Sequence, residues 1–320
     1  MLNPKYCVEK IRGYTLLELI IASSLGLATI GLAGSAILTN RGLLLRDTAR
    51  IEVNQNLRAS VDIIGSDIRQ AGENLIIRDF PIIQLNDNSL NSHDELIVRS
   101  SLLLNTFSVC QDADSENLLI GDTTAGGIAD CPVAGRGLDP ADELPDSLFL
   151  WEEYRQEQED IGEPTTAFIY DFDSLDGELF EIESIFRTAG TSGDDPAEFF
   201  VQSTSSSWSG TYESAGRLPL IAIIDERRFF LDENGFLNTQ VNGGVDRILA
   251  NEVTDFQVII TTQDGVEHTD FNTADGDSWA DIRSIQVTIG ASSEFAANRN
   301  ISNTISSQFL PRNILSFTTN

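Results

Sequence analysis

The chain has 320 residues, of which 50 are Asp or Glu and 20 are Lys or Arg, so its formal net charge is -30. This excess of negative charge argues against a nucleic-acid surface, because binding to phosphates needs clustered cations that displace counterions. It also argues against binding of anionic lipid by the part of the chain beyond its apolar N-terminal segment. That remaining length is enough for one large domain or two modest ones.

The N-terminal region consists of a basic stretch followed by an apolar segment. Lys5, Lys10 and Arg12 come first, and from Leu19 to Asn40 the sequence carries no charge. A run of this length spans a bilayer as an α-helix. Positive charge before the span places the preceding residues in the cytoplasm and the rest of the chain outside it. Glu18 lies at the edge of the span, where a carboxylate is costly and indicates a functional residue.

The helix is predicted to continue beyond the span, to about residue 71. Apolar residues recur there at intervals of three and four, which predicts one narrow stripe that packs on a sheet of the same chain. Gly72 supplies the stop signal. The members of the stripe are Val53, Leu57, Val61, Ile64, Ile68 and Ala71.

Beyond Leu75 the pattern changes to short strands. Strands joined by turns, with no helical periods between them, predict antiparallel sheets and an α+β fold in which the long helix packs on the sheets. Asp232-Glu233-Asn234-Gly235 predicts a hairpin turn, and Cys110–Pro145 and Thr188–Pro219 predict long loops. The candidate strands are Phe80–Leu85, Glu95–Ser100, Ser147–Glu152, Ala167–Phe172, Glu178–Arg187, Glu198–Gln202, Leu220–Ile224, Arg227–Asp232, Phe256–Thr261 and Ile282–Ile289.

Two cysteines, Cys110 and Cys131, lie in the segment predicted to leave the cytoplasm. An oxidising compartment favours a disulfide between them, which would stabilise the fold by roughly 3 kcal/mol in the entropic model. The alternative is a pair of buried free thiols. The third cysteine, Cys7, precedes the predicted membrane span and lies in the segment expected to stay in the cytoplasm.

Catalytic chemistry has little support in the sequence, so the chain is expected not to be an enzyme. His93 and His268 each stand alone among acidic residues, and no nucleophile elbow, phosphate-binding loop or cysteine–histidine metal spacing occurs. The acidic run Trp151–Asp160 is either a partner-facing edge or, more simply, a solvated face.

No cofactor is expected, and calcium is the one metal that the sequence suggests. Two clusters place hard oxygen ligands close together, although neither has the spacing of an EF-hand. The alternative is a pair of solvated turns. The candidate ligands are Asp171, Asp173, Asp176, Asp270, Asn272, Asp275 and Asp277.

The segment Arg12-Gly13-Tyr14-Thr15-Leu16-Leu17-Glu18, followed by about twenty apolar residues, resembles the class III signal of type IV pilins and type II secretion pseudopilins. The resemblance implies cleavage by a prepilin peptidase between Gly13 and Tyr14 and N-methylation of Tyr14. It also implies that Glu18, the fifth mature residue, aligns subunits by pairing with the N-terminal amine of a neighbour. The alternative for Glu18 is a carboxylate that reaches back to the headgroups.

Beyond the signal, several segments resemble PilW-type minor pilins of type IV pili. The domain boundaries implied are a leader at 1–13, a membrane or filament-core helix at 14–40, its amphipathic continuation at 41–75, and an exported β-rich domain at 76–320. The segments are Asp67–Gly72, Glu178–Phe186, Arg228–Asp232, Glu252–Ile260 and Gln308–Asn313.

The PilW-type resemblance implies a set of partners and a location. The partners are other minor pilins, the major pilin, the peptidase and the inner-membrane assembly platform. The location is the inner membrane, crossed once with the C-terminal domain in the periplasm, and then the pilus at the cell surface. Two alternatives stay open: pseudopilin J of type II secretion, and an uncleaved, membrane-anchored exported binding domain.

Overall fold

The computed structural model describes residues 15–75, 80–88, 93–110, 113, 116–122, 144, 146–188, 198–205, 207–210, 212, 217–296 and 299–313. The chain divides into two compact units, Met1–Glu52 with Ser293–Ile301 and Val53–Ser292 with Ser302–Asn320, here called the N-terminal unit and the main unit. The helices are α1 (Leu16–Gln70) and α2 (Asp146–Ile161). The strands are β1 (Ile83–Asn88), β2 (His93–Ser101), β3 (Phe107–Ser108), β4 (Asn117–Asp122), β5 (Thr166–Tyr170), β6 (Gly177–Thr188), β7 (Glu198–Ser203), β8 (Leu220–Leu231), β9 (Leu237–Val241), β10 (Arg247–Ala250), β11 (Val253–Thr262), β12 (Glu267–His268), β13 (Ile282–Ala296) and β14 (Arg299–Phe309).

The end of α1 is set by Gly72, as the sequence predicts. Gly72 has φ = 71°, the left-handed conformation that commonly follows the last turn of a helix. Its backbone N–H donates to the carbonyl of Arg99 at 2.9 Å, so the residue that follows the helix end is hydrogen-bonded directly to β2. The predicted continuation of the helix to about residue 71 is therefore confirmed, with α1 ending at Gln70.

The strands form two sheets in which the described pairs are antiparallel. The larger has ten strands with the central order β1-β2-β8-β5-β6-β7-β4, and β3, β9 and β10 pair beside this path. The smaller has the order β12-β11-β13-β14. Together with the long helix they make the α+β architecture that the sequence predicts.

The apolar stripe of α1 is buried in the main core cluster, against residues of both sheets. Leu57, Ile64 and Ile68 are fully buried, whereas Ile63, adjacent in sequence, is 41% exposed. The helix face therefore follows the predicted period. Burial of these side chains stabilises the main unit by roughly 1.5–3 kcal/mol for each large aliphatic residue.

The central strands of the large sheet are buried on both faces. In β5, Phe168 and Tyr170 face the α1 cluster, while Ala167 and Ile169 face a second cluster that α2 covers with Trp151. This double burial explains why the sequence of β5 is continuously apolar and not alternating.

The strand region differs from the prediction in several features. The strands β3, β9, β10, β12 and β14 were not predicted, and the predicted loop Thr188–Pro219 contains β7. Ser147–Glu152 is the start of α2 and not a strand, because a short apolar run does not by itself distinguish helix from strand. The two predicted strands Leu220–Ile224 and Arg227–Asp232 are one continuous strand, β8. The predicted loop Cys110–Pro145 contains β4, although much of the rest of that stretch lies outside the described residues.

The predicted hairpin turn at Asp232–Gly235 is confirmed. It joins β8 to β9, with Leu231 opposite Leu237. Asp232 donates its backbone N–H to the carbonyl of Phe236 at 3.0 Å, and its carboxylate accepts from the N–H groups of Asn234 and Phe236. Gly235 has φ = 79°, a conformation that favours glycine.

Candidate functional site

The first turn of α1 carries a capping box that links the candidate residue Glu18 to Thr15. The Thr15 hydroxyl accepts from the backbone N–H of Glu18 at 3.3 Å, and the Glu18 carboxylate accepts from the backbone N–H of Thr15 at 2.9 Å. This reciprocal arrangement satisfies two N–H groups at the helix start. The spacing Thr-x-x-Glu was visible in the sequence, but our sequence interpretation of Glu18 did not use it.

The helix after Glu18 is apolar and exposed along the predicted span, except at the half-buried Gly26 and Gly34. It is long and apolar enough to cross a membrane, with a mean hydropathy of 2.0 over its most apolar 18-residue window, none of which is buried. At Gly26, Gly31 and Gly34, apart from the neighbouring residues and the adjacent backbone of the helix itself, no atom lies within 4 Å of the place where a Cβ would stand. The helix therefore offers a smooth apolar surface at which another backbone can approach closely.

Every hydroxyl on this span between Ser23 and Thr39 is satisfied within the helix itself. Ser23, Ser24 and Thr29 each donate to the carbonyl three residues earlier at 2.8–3.0 Å. Ser35 donates to Leu32 and Thr39 to Ser35, at 2.8 and 2.9 Å. Internal satisfaction of polar groups is what an apolar, water-free environment requires.

The residues predicted for processing lie outside the described part of the chain. This holds for Gly13 and for Tyr14, the predicted cleavage and methylation sites, and for the leader before them. The contact of Glu18 with the amine of a neighbouring subunit also stays a prediction.

Of the two cysteines predicted to form a bridge, Cys110 is buried and disulfide-bonded. Cys131, the predicted partner, lies outside the described residues, as does Cys7. The pairing of Cys110 with Cys131 is therefore still a prediction, whereas the alternative of a free thiol is wrong for Cys110.

The two candidate calcium clusters form turns whose carboxylates accept local backbone hydrogen bonds. Asp171 Oδ1 accepts from the N–H groups of Asp173 and Ser174 at 2.7 and 3.0 Å, and Asp277 Oδ2 accepts from Asn272 N–H at 3.0 Å. Within the described ranges, no group of three or more His, Cys, Asp or Glu side chains is arranged to hold a metal ion. Asp176, Asp270 and Asp275 belong to the same turns.

The two histidines and the acidic run occupy structural positions. The Nδ1 atom of His93 lies 3.8 Å from Asp255, and the ring of His268 packs edge-on to Phe271. The acidic run is the body of α2, where Arg155 pairs with Glu152 at 2.7 Å and with Glu159 at 2.8 Å. Relative to Arg155, these glutamates lie three residues before and four residues after it, a spacing typical of ion pairs on a helix. The sequence interpretation did not use this helical signal.

Polar contacts that the sequence did not reveal hold the main unit together. Asp67 of α1 accepts from Arg227 of β8 at 3.3 Å, and Arg227 also binds Asp225 at 3.0 Å. Burial raises the pKa of Asp67, and the nearby Arg227 opposes that rise. The helix is thus anchored to the large sheet by an ion pair beside its apolar stripe.

A buried ion pair joins two neighbouring strands of the large sheet. Arg99 of β2 stands opposite Glu226 of β8 and donates to its carboxylate at 2.6 Å. The same guanidinium donates to the Pro81 carbonyl at 2.5 Å and lies 4.9 Å from the ring centre of Phe168. Removing one partner would leave a buried charge uncompensated, at a cost of several kcal/mol.

Asp94 of β2 connects the two sheets. Its carboxylate accepts a hydrogen bond of 2.6 Å from the backbone N–H of Val258 in β11, so a side chain occupies the place that a neighbouring strand's carbonyl would take. Burial raises the pKa of Asp94 to about 6, and the Val258 hydrogen bond opposes this. The carboxylates of Asp87 and Asp255 raise it further, and His93 lowers it.

Glu178 of β6 organises the connection that precedes β8. Its carboxylate accepts from the backbone N–H groups of Ser209 and Gly210 and from the hydroxyl of Tyr212, at 2.9–3.2 Å. Burial acts to raise the pKa of Glu178, but these hydrogen bonds outweigh it and lower the pKa. Burial and the same carboxylate raise the pKa of Tyr212.

Comparison with known proteins finds no matching family model, no matching curated protein and no matching solved structure.

Proposed function

We propose that this chain is a minor pilin of the PilW type, a subunit that takes part in priming the assembly of type IV pili. The observation that carries the proposal is α1. It begins with a carboxylate in its first turn and continues as an exposed apolar segment with satisfied hydroxyls. Its last turns then form the buried stripe of a β-rich unit.

The proposed life cycle begins in the inner membrane. Prepilin peptidase cuts between Gly13 and Tyr14 on the cytoplasmic side, and Tyr14 is methylated. The mature subunit waits with its β-rich unit in the periplasm. It then moves from the membrane into a bundle with other minor pilins and the major pilin, on the assembly platform, and reaches the cell surface with the pilus.

Assembly in this proposal depends on α1 in two ways. Packing of its exposed apolar side chains against neighbouring helices keeps them out of water once the helix has left the membrane, which is worth about 25 cal/mol per Å² relative to exposure to water. Glu18 aligns the subunits, because an anion in a low-dielectric bundle needs a cation and the Tyr14 amine of a staggered neighbour supplies one. In support of this role, the Glu18 carboxylate is held at the helix start by the backbone N–H of Thr15.

Two other functions compete with this proposal. Pseudopilin J of type II secretion would use the same helix in a secretion pseudopilus, and copurification with secretion components in place of pilus components would identify it. An uncleaved, membrane-anchored binding domain would keep residues 1–13.

The first test is mass analysis of the N-terminus of the membrane-bound protein, with and without the prepilin peptidase. The proposal expects a chain that begins at methylated Tyr14 when the peptidase is present and at Met1 when it is absent. A chain that retains residues 1–13 and an unmethylated N-terminus in the presence of active peptidase contradicts pilin processing.

The second test separates the charge of Glu18 from its capping role. Glu18→Gln keeps a residue that can complete a capping box but removes the anion, whereas Thr15→Ala removes the threonine cap and keeps the anion. We expect Glu18→Gln to reduce recovery of the subunit in sheared pili at least tenfold while processing continues, and Thr15→Ala to have a smaller effect. Normal incorporation of the Glu18→Gln chain would refute the alignment role.

A further inference from the structure

The two sheets of the main unit meet at the start of β2, where hydrogen bonds of two kinds supplement the apolar packing. Leu85 of β1 and Phe271 exchange backbone hydrogen bonds of 2.8 and 2.9 Å. Asp94 of β2 accepts from the backbone N–H of Val258 at 2.6 Å, because the short strand β12 ends before it reaches that part of β11. The first contact contains no titratable group, whereas the second depends on a carboxylate.

Asp94 is buried, and other carboxylates lie close to it. Asp87 of β1 stands directly opposite Asp94 in the ladder, and like charges in that position destabilise an antiparallel pair. Asp255 lies across the junction in β11, three residues before Val258. Both of these carboxylates make a negative charge on Asp94 less favourable.

The basic side chains described beside this junction are those of His93 and Arg228, and neither is a permanent, unpaired cation. The Nδ1 atom of His93 lies 3.8 Å from Asp255, and the imidazole carries a charge only when it is protonated. Arg228 of β8 is paired with Glu95, the residue after Asp94. The ionised form of Asp94 therefore has no fixed positive charge to offset its burial.

A partly open cavity of about 260 Å³ lies on one side of the junction. It is lined by His93 and by the turn between β8 and β9, which adds the carboxylates of Asp232 and Glu233. These acids contribute further negative charge near Asp94. Water in the cavity reaches the residue next to Asp94, so protons can exchange there while the sheets stay folded.

The balance of these effects favours the protonated form of Asp94 in the closed junction. Burial and neighbouring like charges disfavour an ionised carboxylate. The Val258 hydrogen bond acts in the opposite direction, but burial outweighs it and raises the pKa of Asp94 to about 6. In an opened junction the side chain is hydrated and has the ordinary aspartate pKa of about 3.9. Closure is therefore most favourable in acid and weakens as the pH rises towards about 6.

We propose that Asp94 makes the contact between the two sheets a proton-dependent joint, which is closed while Asp94 is protonated and opens locally more often when it is ionised. In the open form, Asp94 and the N–H of Val258 are both hydrated. The hydrogen bonds between Leu85 and Phe271 persist and act as the pivot. Such a local opening requires less free energy than unfolding of the whole unit. The joint goes beyond the role proposed for this chain and does not depend on it.

The test is amide hydrogen exchange of the full-length chain in detergent, read at single amides by mass spectrometry at pH 5 and pH 7.5. Both values lie above the isoelectric point of about 4.1, so the chain stays charged and soluble. After correction for the intrinsic effect of pH on exchange, we expect the opening constant at Val258 to be roughly tenfold higher at pH 7.5 than at pH 5. At Leu85 and Phe271 we expect less than about a twofold change. Equal protection of Val258 at both pH values, or a parallel loss at Phe271, would overturn the proposal.

Asp94→Asn removes the titrating group but keeps an oxygen that can accept from Val258. We expect its opening constant at Val258 to be the same at both pH values and several-fold below that of the parent chain at pH 7.5. Glu252→Gln is the matched control, because it neutralises an exposed carboxylate just before β11. It should keep the response of the parent chain. A pH response retained in Asp94→Asn, or lost equally in Glu252→Gln, contradicts the proposal.

Asp87→Asn gives an independent result even where Asp94→Asn fails to fold. Asp87 is exposed, so the substitution leaves the core unchanged while it removes the like charge opposite Asp94. Ionised Asp94 then becomes less unfavourable, and we expect the response at Val258 to fall from roughly tenfold to roughly fivefold. A response as large as that of the parent chain overturns the proposal as well. Melting curves that match the parent at pH 7.5 show that the Asp87→Asn fold is intact.

Discussion

Asp94 shows how one side chain can replace a strand at the junction of two sheets. Its carboxylate accepts a hydrogen bond from the N–H of Val258, and the titratable groups that influence it are Asp87, Asp255 and His93. A carboxylate with a raised pKa binds its proton more tightly in the folded than in the unfolded chain. Protonated Asp94 therefore stabilises the folded chain in acid, and this stabilisation is lost as the pH rises through the folded-state pKa of about 6.

Because the ionised Asp94 carboxylate is unfavourable in the fold above pH 6, replacing it by a neutral group should stabilise the chain there. Asp94→Asn makes this change, and its amide keeps an oxygen that can accept the hydrogen bond from Val258. We expect the variant to be more stable than the parent by about 1 kcal/mol at pH 8, after discounting for solvent screening, and equal to it near pH 3.5. Thermal unfolding at both pH values measures the difference. Asp160→Asn, on the exposed end of α2, is the control for loss of one negative charge; an equal gain there at pH 8 would disprove the role of the junction.

The sequence singles out some residues by type but does not reveal the contacts that they make. Glu18 stood out because an acid beside an apolar span is rare, and its position in the first turn is as predicted. Asp94 and Glu226 resembled any other acid in an acidic chain, since what distinguishes them is a partner 164 and 127 residues away. A glycine inside a helix normally weakens it, but at Gly65 of α1 the ring of Phe309 fills the space where a Cβ would stand.

At the scale of elements, the part of α1 in the main unit shows that a helix face can be predicted from spacing alone. Ile63 and Ile64 are adjacent and chemically identical, but Ile64 is fully buried and Ile63 is 41% exposed. The apolar period assigned Ile64 to the stripe and left Ile63 off it. Their difference offers a test of how much the helix face contributes to stability.

We expect Ile64→Ala to lower the free energy of unfolding by about 2–5 kcal/mol, because it removes a fully buried side chain and leaves a cavity. Ile63→Ala is the matched control and should change it by less than about 1 kcal/mol. Urea denaturation followed by tryptophan fluorescence is a suitable measurement, since Trp279 lies in the same core cluster. Equal effects of the two substitutions would show that the stripe does not support the main unit.

Other elements could not be predicted, for reasons that are physical. The run at Ser147–Glu152 is apolar at most positions and fits a strand as well as a helix until the ion pairs of Arg155 are considered. In β8, the acidic pair Asp225-Glu226 looks like a break between two strands. It is compatible with one strand because Glu226 finds Arg99 on the neighbouring strand, a contact that a single sequence does not reveal.

The whole molecule carries a large negative charge, with few cations to offset it. Self-repulsion of this kind destabilises a compact state, and added salt screens it. We therefore expect the melting temperature to rise by several degrees when NaCl is increased from about 0.01 M to about 0.15 M, over which the Debye length falls from about 30 to about 8 Å. Differential scanning fluorimetry can follow it. Equimolar sucrose is the uncharged control, and a melting temperature that falls with salt would contradict the argument.

The hydrogen bonds between the beginning and the end of the main unit have a consequence for folding during synthesis. Asn313 donates to the carbonyl of Ala71 and Asn303 to Asn54, across 242 and 249 residues of chain. At 5–20 residues per second, synthesis needs about 10–50 s to pass from one end of these contacts to the other. During that interval the core cluster that contains the apolar stripe lacks the strands β13 and β14. The nascent chain must therefore be protected from aggregation until these last strands have been synthesised.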